Sequence, residues 1–337
     1  MPTHDLLGRP LGDLRVSVTD KCNFRCRYCM PKETFGPGFQ FLPRAEILTF
    51  EEITRVVEAT IALGVTKVRL TGGEPLLRRD LPTLVRMLAD LPGLDDLAMT
   101  TNGALLASWA KPLAAAGLGR VTVSLDSVDP QVFSLMNGVD QPIGPVLAGI
   151  AAASEAGLGP IKLNAVIRRG LNDEGIVGLA DFARQHGYLL RVIEYMDVGE
   201  SHGWRMEEVV PSSEVLERVG ARWPLTPVEA RSPADVAQRY RYLDGGGEIG
   251  VISSVSAPFC GACSRLRLTA DGKIHTCLFA RLGHDLRAQL RQGISRQGLI
   301  DELGAVWAIR ADRYSELRSS HTEHSGAAKP EMSYLGG

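Results

Sequence analysis

From Leu14 to Glu194 the chain alternates short apolar, β-branched runs with longer segments whose apolar positions recur every three to four residues. The first pattern reads as strands and the second as amphipathic helices. Strands are predicted at Leu14–Val18, Lys67–Leu70, Asp96–Thr100, Val121–Leu125, Lys162–Ile167 and Leu189–Glu194. Helices are predicted at Phe50–Leu63, Leu81–Asp90, Ala104–Ala116, Ile143–Ala156 and Asp173–Gln185, with Gly64, Gly117, Gly157 and Gly187 just past their ends as C-caps. Six such units predict an α/β fold, a partial (βα)6 TIM-like barrel around a parallel sheet. In that geometry the loops after the strands carry the chemistry and converge on one rim.

The periodicity gives way after about Val198 to a stretch rich in Pro, Gly and Arg that reaches Gly245-Gly246-Gly247. The expected division is a barrel over residues 1–222 and a C-terminal module over 223–337. That module has a core from Glu248 to about Leu282, a helical segment near Asp285–Glu302 and a polar tail from Arg310. At 337 residues and 45% hydrophobic composition the chain can bury a sizeable core. Its 37 basic and 39 acidic residues leave a charge of −2, so nothing draws it generally to nucleic acid or membrane. No apolar run approaches the roughly 20 residues that span a bilayer. Six cysteines are too sparse for a disulfide scaffold, and no secretory h-region is evident, so a reducing, cytoplasmic location is expected.

Three of those cysteines, Cys22, Cys26 and Cys29, follow the first strand in Cys-Asn-Phe-Arg-Cys-Arg-Tyr-Cys. Clusters kept for structure or electron transfer normally have every iron filled by protein, so three thiols imply a [4Fe–4S] cluster with one open iron. A zinc knot is the alternative, and no fourth Cys or His follows before His186. Gly72-Gly73-Glu74-Pro75 follows the second strand, where glycines let a backbone approach a ligand closely. A second set, Cys260, Cys263 and Cys277, again lacks a fourth thiol; a zinc ribbon completed by His275 or His284 competes with a second open cluster. Arg265 and Arg267 lie two apart on a predicted strand and so share a face, which is unfavourable unless an anion joins them. Arg15 and Arg69 can join from the barrel side, and Arg191, alternating with apolar neighbours, is expected to point inward, where Glu194 or a ligand carboxylate could satisfy it.

The cysteine loop with its following Met30-Pro31, together with Gly72-Gly73-Glu74, resembles the radical S-adenosylmethionine (SAM) enzymes. Adding Thr100-Thr101-Asn102-Gly103, Val123-Ser124-Leu125-Asp126, Glu194-Tyr195-Met196-Asp197, the second cysteine set with its arginine pair and the terminal Gly336-Gly337 narrows this. Over nearly its whole length the chain is similar to the GTP 3′,8-cyclase family of molybdenum cofactor biosynthesis. The resemblance implies two [4Fe–4S] clusters, one on Cys22, Cys26 and Cys29 and one on Cys260, Cys263 and Cys277. It implies SAM contacts at Tyr28, Gly73, Glu74, Ser124 and Met196, and GTP contacts at Arg15, Arg69, Thr100, Lys162, Arg265, Leu266 and Arg267. Cleavage of SAM gives a 5′-deoxyadenosyl radical that takes hydrogen from C3′ of GTP, and C3′ then joins C8. Arg15, Arg265 and Arg267 clamp the triphosphate, and Gly336 and Gly337 enter the active site and serve turnover. A homodimer and a downstream cyclic pyranopterin monophosphate synthase are also implied, while the electron donor stays unidentified. Competing readings are a peptide-modifying radical SAM maturase with an auxiliary cluster, and a non-catalytic cluster or zinc protein.

Overall fold

The computed structural model describes residues 2–230, 232–318 and 329–336. All six predicted strands form: β1 (Asp13–Ser17), β2 (Lys67–Thr71), β3 (Asp96–Thr101), β4 (Arg120–Ser124), β5 (Lys162–Ile167) and β6 (Leu189–Glu194). So do the helices between them, α1 (Phe50–Ala62), α2 (Leu81–Ala89) and α3 (Leu106–Ala115). Thr49 starts α1 with a reciprocal capping box to Glu52, which satisfies two otherwise orphaned N–H groups. An unanticipated short helix, α4 (Pro130–Asn137), begins at the Asp129 cap and stops at Gly138 (φ 69°). It is followed by α5 (Gly144–Glu155), α6 (Ile176–Gln185) and α7 (Ser212–Gly220). Gly64, Gly117, Gly157 and Gly187 take the positive φ expected of C-caps.

Beyond residue 222 the described residues build no sheet of their own. They contribute β7 (Leu225–Val228), β8 (Gln238–Tyr242), β9 (Glu248–Ile252), β10 (Arg265–Leu268), β11 (Lys273–His275) and β12 (His284–Asp285) to a single twelve-stranded sheet, in the order β12-β11-β10-β1-β2-β3-β4-β5-β6-β9-β8-β7. β10 runs parallel to β1 and β9 runs parallel to β6, so eight consecutive strands are parallel. Antiparallel strands finish both ends. The single helical segment expected near Asp285–Glu302 is two helices, α8 (Arg287–Arg291) and α9 (Arg296–Ala308), divided by Gly293 at φ 82°. Among the described residues, the expected polar tail contains two short helices, α10 (Tyr314–Leu317) and α11 (Met332–Leu335), and buries Leu335.

Strand alternation sorts the side chains. Leu14, Val16, Val68, Leu70, Leu266 and Leu268 are fully buried in the main apolar core with residues of α1, α2 and α9. Each contributes about 1.5–3 kcal/mol relative to exposure. The intervening Arg15, Arg69, Arg265 and Arg267 face the other side of the sheet, which is the barrel interior.

Candidate active site

The first cysteine triad lies on the loop leaving β1, and Arg25 holds this loop in shape. Its Nε donates to Phe35 O (2.7 Å), and its guanidinium also donates to Cys22 O and Phe24 O (2.8 Å each). The Gly-Gly-Glu loop leaving β2 stacks on it, with Gly73 N donating to Thr19 O and Glu74 N to Lys21 O, both at 2.8 Å. A Cβ at Gly72 would lie 2.4 Å from Thr19 O and one at Gly73 would lie 2.2 Å from Lys21 O. The close approach these glycines permit therefore includes that of the cysteine loop itself. Glu74 is buried, which pushes its carboxyl up to about 7, and it accepts from Thr101 Oγ1 (2.7 Å), Asn102 N (2.7 Å) and Leu76 N (3.0 Å). Asn102 in turn donates to Asn23 Oδ1 at 2.7 Å and stands 3.9 Å from Cys22 Sγ. Tyr28 donates to Asp126 Oδ2 at 2.8 Å, and a small cavity is lined by Cys26, Tyr28, Asn102, Ser124 and Asp126.

Burial pushes the Cys22 thiol up to about 12, and burial with the neighbouring Asp126, Cys22 and Cys29 charges pushes Cys26 well above its usual value. Three crowded thiols that resist becoming thiolates together suit a cationic iron centre.

The second triad flanks β10 and β11, and a buried network that crosses the sequence fixes its backbone. Arg9 donates through Nε to Asp5 (2.6 Å) and through Nη1 to Cys260 O (2.9 Å). Arg310 donates to Asp5 (3.1 Å), Cys263 O (2.7 Å) and Thr276 O (3.0 Å). Burial disfavours a Cys263 thiolate, yet the Arg265 and Arg310 guanidinium groups win and bring the thiol down to about 6. Burial pushes Cys277 up to about 11. Of the two histidines considered as zinc ligands, His284 pairs with Glu302 (2.6 Å), and His275 stands in register opposite Arg267.

Arg267, Arg15 and Arg69 stand abreast on β10, β1 and β2, as direct register partners in adjacent parallel strands. Burial, followed by the charges of Arg265 and Arg69, lowers Arg15 to about 9; burial above all lowers Arg69 to about 10. Arg69 donates to Thr100 Oγ1 (3.1 Å) and Thr122 Oγ1 (3.2 Å). Lys162, in register with Thr122, is lowered to about 7 by burial and by Arg191, Arg120, Arg69 and Lys67. The Nε groups of Arg15, Arg69 and Arg191 are buried without a hydrogen-bond partner. Donors of this kind in a shared interior fit a polyanion that accepts from several of them at once.

Glu194 is not the partner of Arg191. Three positions apart on a strand puts the two on opposite faces, and Glu194 accepts instead from Ser212 N (2.8 Å), Val255 N (2.8 Å) and Ser256 N (2.8 Å). Leu266 sits in the core, so only its backbone lies near the arginines.

Comparison with known proteins places this arrangement. Residues 16–183 match the radical SAM superfamily model and residues 188–316 match the Molybdenum Cofactor Synthesis C model. Curated relatives called GTP 3′,8-cyclase are 55% identical in Acidothermus cellulolyticus (100% of this chain, 99% of the relative), 50% in Xanthomonas campestris pv. campestris (100% and 98%) and 43% in Staphylococcus aureus (99% and 98%). The chain belongs to the GTP 3′,8-cyclase family. Solved structures with the same fold include Streptococcus suis SuiB bound to precursor peptide SuiA (TM-score 0.61, 17% identity, 94% of this chain and 68% of that one). Another is anSMEcpe with bound AdoMet (TM-score 0.59, 14% identity, 96% and 90%).

In this cyclase family member the C-terminal segment reaches the barrel mouth at Gly336. Gly336 takes φ 69°, and a Cβ there would meet Thr71 Cγ2 at 2.5 Å. Gly336 O accepts from Arg267 (2.9 Å), Tyr334 Oη donates to both Asp271 oxygens (2.8 and 2.9 Å), and Glu331 accepts from Glu200 N and Ser201 N (3.0 Å each). Gly337 lies outside the described residues. Met196 is half-buried just beyond β6. Sequence reasoning missed Asn164, the register partner of both Ser124 and Arg191, whose Oδ1 is buried without a partner. Its signal was a polar residue within the apolar run that follows Lys162. It also missed Asp5, Arg9 and Arg310, for which no local motif exists.

Proposed function

We propose that the chain is a radical SAM lyase that converts GTP to (8S)-3′,8-cyclo-7,8-dihydroguanosine 5′-triphosphate, the first step of molybdenum cofactor biosynthesis. The observation that carries this reading is the row of Arg267, Arg15 and Arg69, with unpaired buried Nε donors on two of its three members, between two three-cysteine sets. Cys22, Cys26 and Cys29 would hold the first [4Fe–4S] cluster, which with SAM supplies the hydrogen-abstracting chemistry. Cys260, Cys263 and Cys277 would hold the second, which would supply a Lewis-acid site for guanine.

The chain's own residues then bind and orient. Arg15, Arg69, Arg265, Arg267 and Lys162 take up the triphosphate, and Arg265 also balances the charge of Cys263 beside it. Thr100 and Thr122 aim Arg69. Tyr28, Gly73, Ser124 and Met196 line the SAM side, and Glu74 serves that side by locking the loops after β2 and β3 together. The tail at Gly336 closes the mouth, because a reactive carbon radical survives only where water and stray hydrogen donors are excluded, and Gly336 and Gly337 serve turnover. A cytoplasmic homodimer that feeds its product to cyclic pyranopterin monophosphate synthase completes the reading.

The test is mass spectrometry of an anaerobic reaction of cluster-reconstituted protein with SAM, dithionite and either GTP or ATP. The expected result is 5′-deoxyadenosine with a new isomer of GTP's mass, formed with GTP and not with ATP. Deoxyadenosine without any altered nucleotide would overturn GTP as substrate.

A further inference from the structure

Strands β1 to β5 separate β10 from β6 in the sheet order, and among the described residues the sheet ends at β12 on one side and at β7 on the other. No backbone ladder there joins the β6 rim to the β10 rim, which leaves a seam in the barrel. Residues from the C-terminal part of the chain cross it instead. Arg281, between β11 and β12, meets Glu200, beyond β6, at 3.6 Å. The Tyr314 ring stacks on Phe279 (4.4 Å between centroids), while its hydroxyl donates to Asp197 beyond β6 at 2.5 Å.

The segment that leads to Gly336 is pinned on both sides of this seam by carboxylates. On the β6 side, Glu331 Oε1 accepts from Glu200 N and Ser201 N (3.0 Å each), and Oε2 accepts from Ser201 Oγ (2.9 Å). Gly199 makes room for it, since a Cβ there would lie 2.1 Å from Glu331 Oε2. Two residues earlier, Lys329 Nζ donates to Tyr314 Oη (2.7 Å) and lies 3.4 Å from Asp197 Oδ2, whose other oxygen accepts from Arg318 Nε (2.9 Å). On the β10 side, Tyr334 Oη donates to both oxygens of Asp271, in the turn between β10 and β11 (2.8 and 2.9 Å). Glu331 and Tyr334 are three positions apart, at most about 11 Å of chain. Between and just beyond these anchors, Ser333 and Leu335 are buried.

We propose that Glu331, Asp197 and Asp271 are positioning residues that pin the C-terminal strap across the seam, and that their grip sets what share of SAM cleavage ends in cyclised nucleotide. The proposal rests on the cyclase reading, which supplies the radical that a closed mouth protects. Polar anchors on a wet rim exchange for bonds to water at small net cost, so the strap releases to admit ligands and re-engages over them. Its buried Leu335 then returns to an apolar seat, which favours the closed position. A strap missing one anchor stays open for more of each cycle, and the radical formed on the SAM side meets other hydrogen donors before it meets the ribose.

The test measures 5′-deoxyadenosine formed per cyclised nucleotide by the cluster-reconstituted full chain with SAM, dithionite and GTP. Glu331→Ala, which frees the β6 side, is expected to raise this ratio about tenfold, as the loss of charge-assisted hydrogen bonds allows. Glu331→Gln keeps an oxygen for the two N–H groups and should stay within about twofold of wild type. Tyr334→Phe removes one hydroxyl on the opposite side of the seam and should raise the ratio in the same direction. A purely structural contribution would lower both products together and leave the ratio where it was. An unchanged ratio in both Glu331→Ala and Tyr334→Phe overturns the proposal, and Tyr334→Phe alone decides it if Glu331→Ala fails to retain iron. Wild-type protein that forms 5′-deoxyadenosine but no cyclised nucleotide would fail the cyclase reading instead.

Discussion

Lys162 carries a charge that titrates near neutrality inside the barrel. Burial and the surrounding Arg191, Arg120, Arg69 and Lys67 hold it at about 7, so in the ligand-free protein it is cationic below that pH and neutral above. Its contribution to capturing a phosphate is present at low pH and lost as pH rises through 7. Lys162→Met should therefore lower kcat/KM for GTP by roughly 10–100-fold near pH 6, the worth of one charge-assisted hydrogen bond of about 1.5–3 kcal/mol. The deficit should shrink towards pH 8.5, and a pH profile of wild type against variant checks this. Asp5 makes the opposite kind of prediction, for stability. It is completely buried between two arginines, Arg9 and Arg310, and removing one partner of a buried ionic network costs about 3–5 kcal/mol. Asp5→Ala should lower the melting temperature and loosen the Cys260 and Cys263 carbonyls, measured by calorimetry and by iron retained on the second site. Residues of the first kind were legible, because Lys162 opens a strand whose ends were predictable. Asp5, Arg9 and Arg310 were not, since their meeting joins chain ends some three hundred positions apart and no local pattern encodes it.

At the scale of elements, the loops after β1 and β2 behave as one unit. Their shared hydrogen bonds, Gly73 N to Thr19 O and Glu74 N to Lys21 O, leave no room for a side chain at either glycine. Gly73→Ala places a Cβ against the Lys21 carbonyl, and Gly72→Ala adds the strain of φ 144°. Each is expected to cost about 1–3 kcal/mol, with iron at the first site reduced and the second site intact, read by counting iron in variants that lack one triad or the other. The strands were readable because an apolar run bounded by glycine or a polar cluster is a local signal, and the short helix α4 was not, because eight residues hold too few repeats to establish a period. The Arg265-Leu266-Arg267-Leu268 alternation announced a strand and a shared arginine face. Nothing in it announced that its neighbour would be β1, because register between distant strands is a property of the packed sheet.

For the whole molecule, the interleaved sheet order means that neither part of the chain is self-sufficient. Cut at residue 222, the barrel would expose β1 on one side and β6 on the other as long parallel edges, a state prone to aggregation. A fragment of residues 1–222 is expected to be insoluble or unfolded, whereas the full chain should unfold in a single transition, as far-UV circular dichroism and size-exclusion chromatography would reveal.

The pairing of β1 with β10 also sets a timetable. A ribosome makes β1 first and its second neighbour some 250 residues later. For that whole interval the strand that launches the first cysteine loop has an unsatisfied flank, and Arg15 lacks the neighbour Arg267 that completes the cationic row. Metal delivery to the nascent barrel would therefore meet an unfinished wall. The segment through Gly336 that caps the mouth is synthesised after every strand of the sheet, so the order of manufacture leaves the vessel open while its metal is installed.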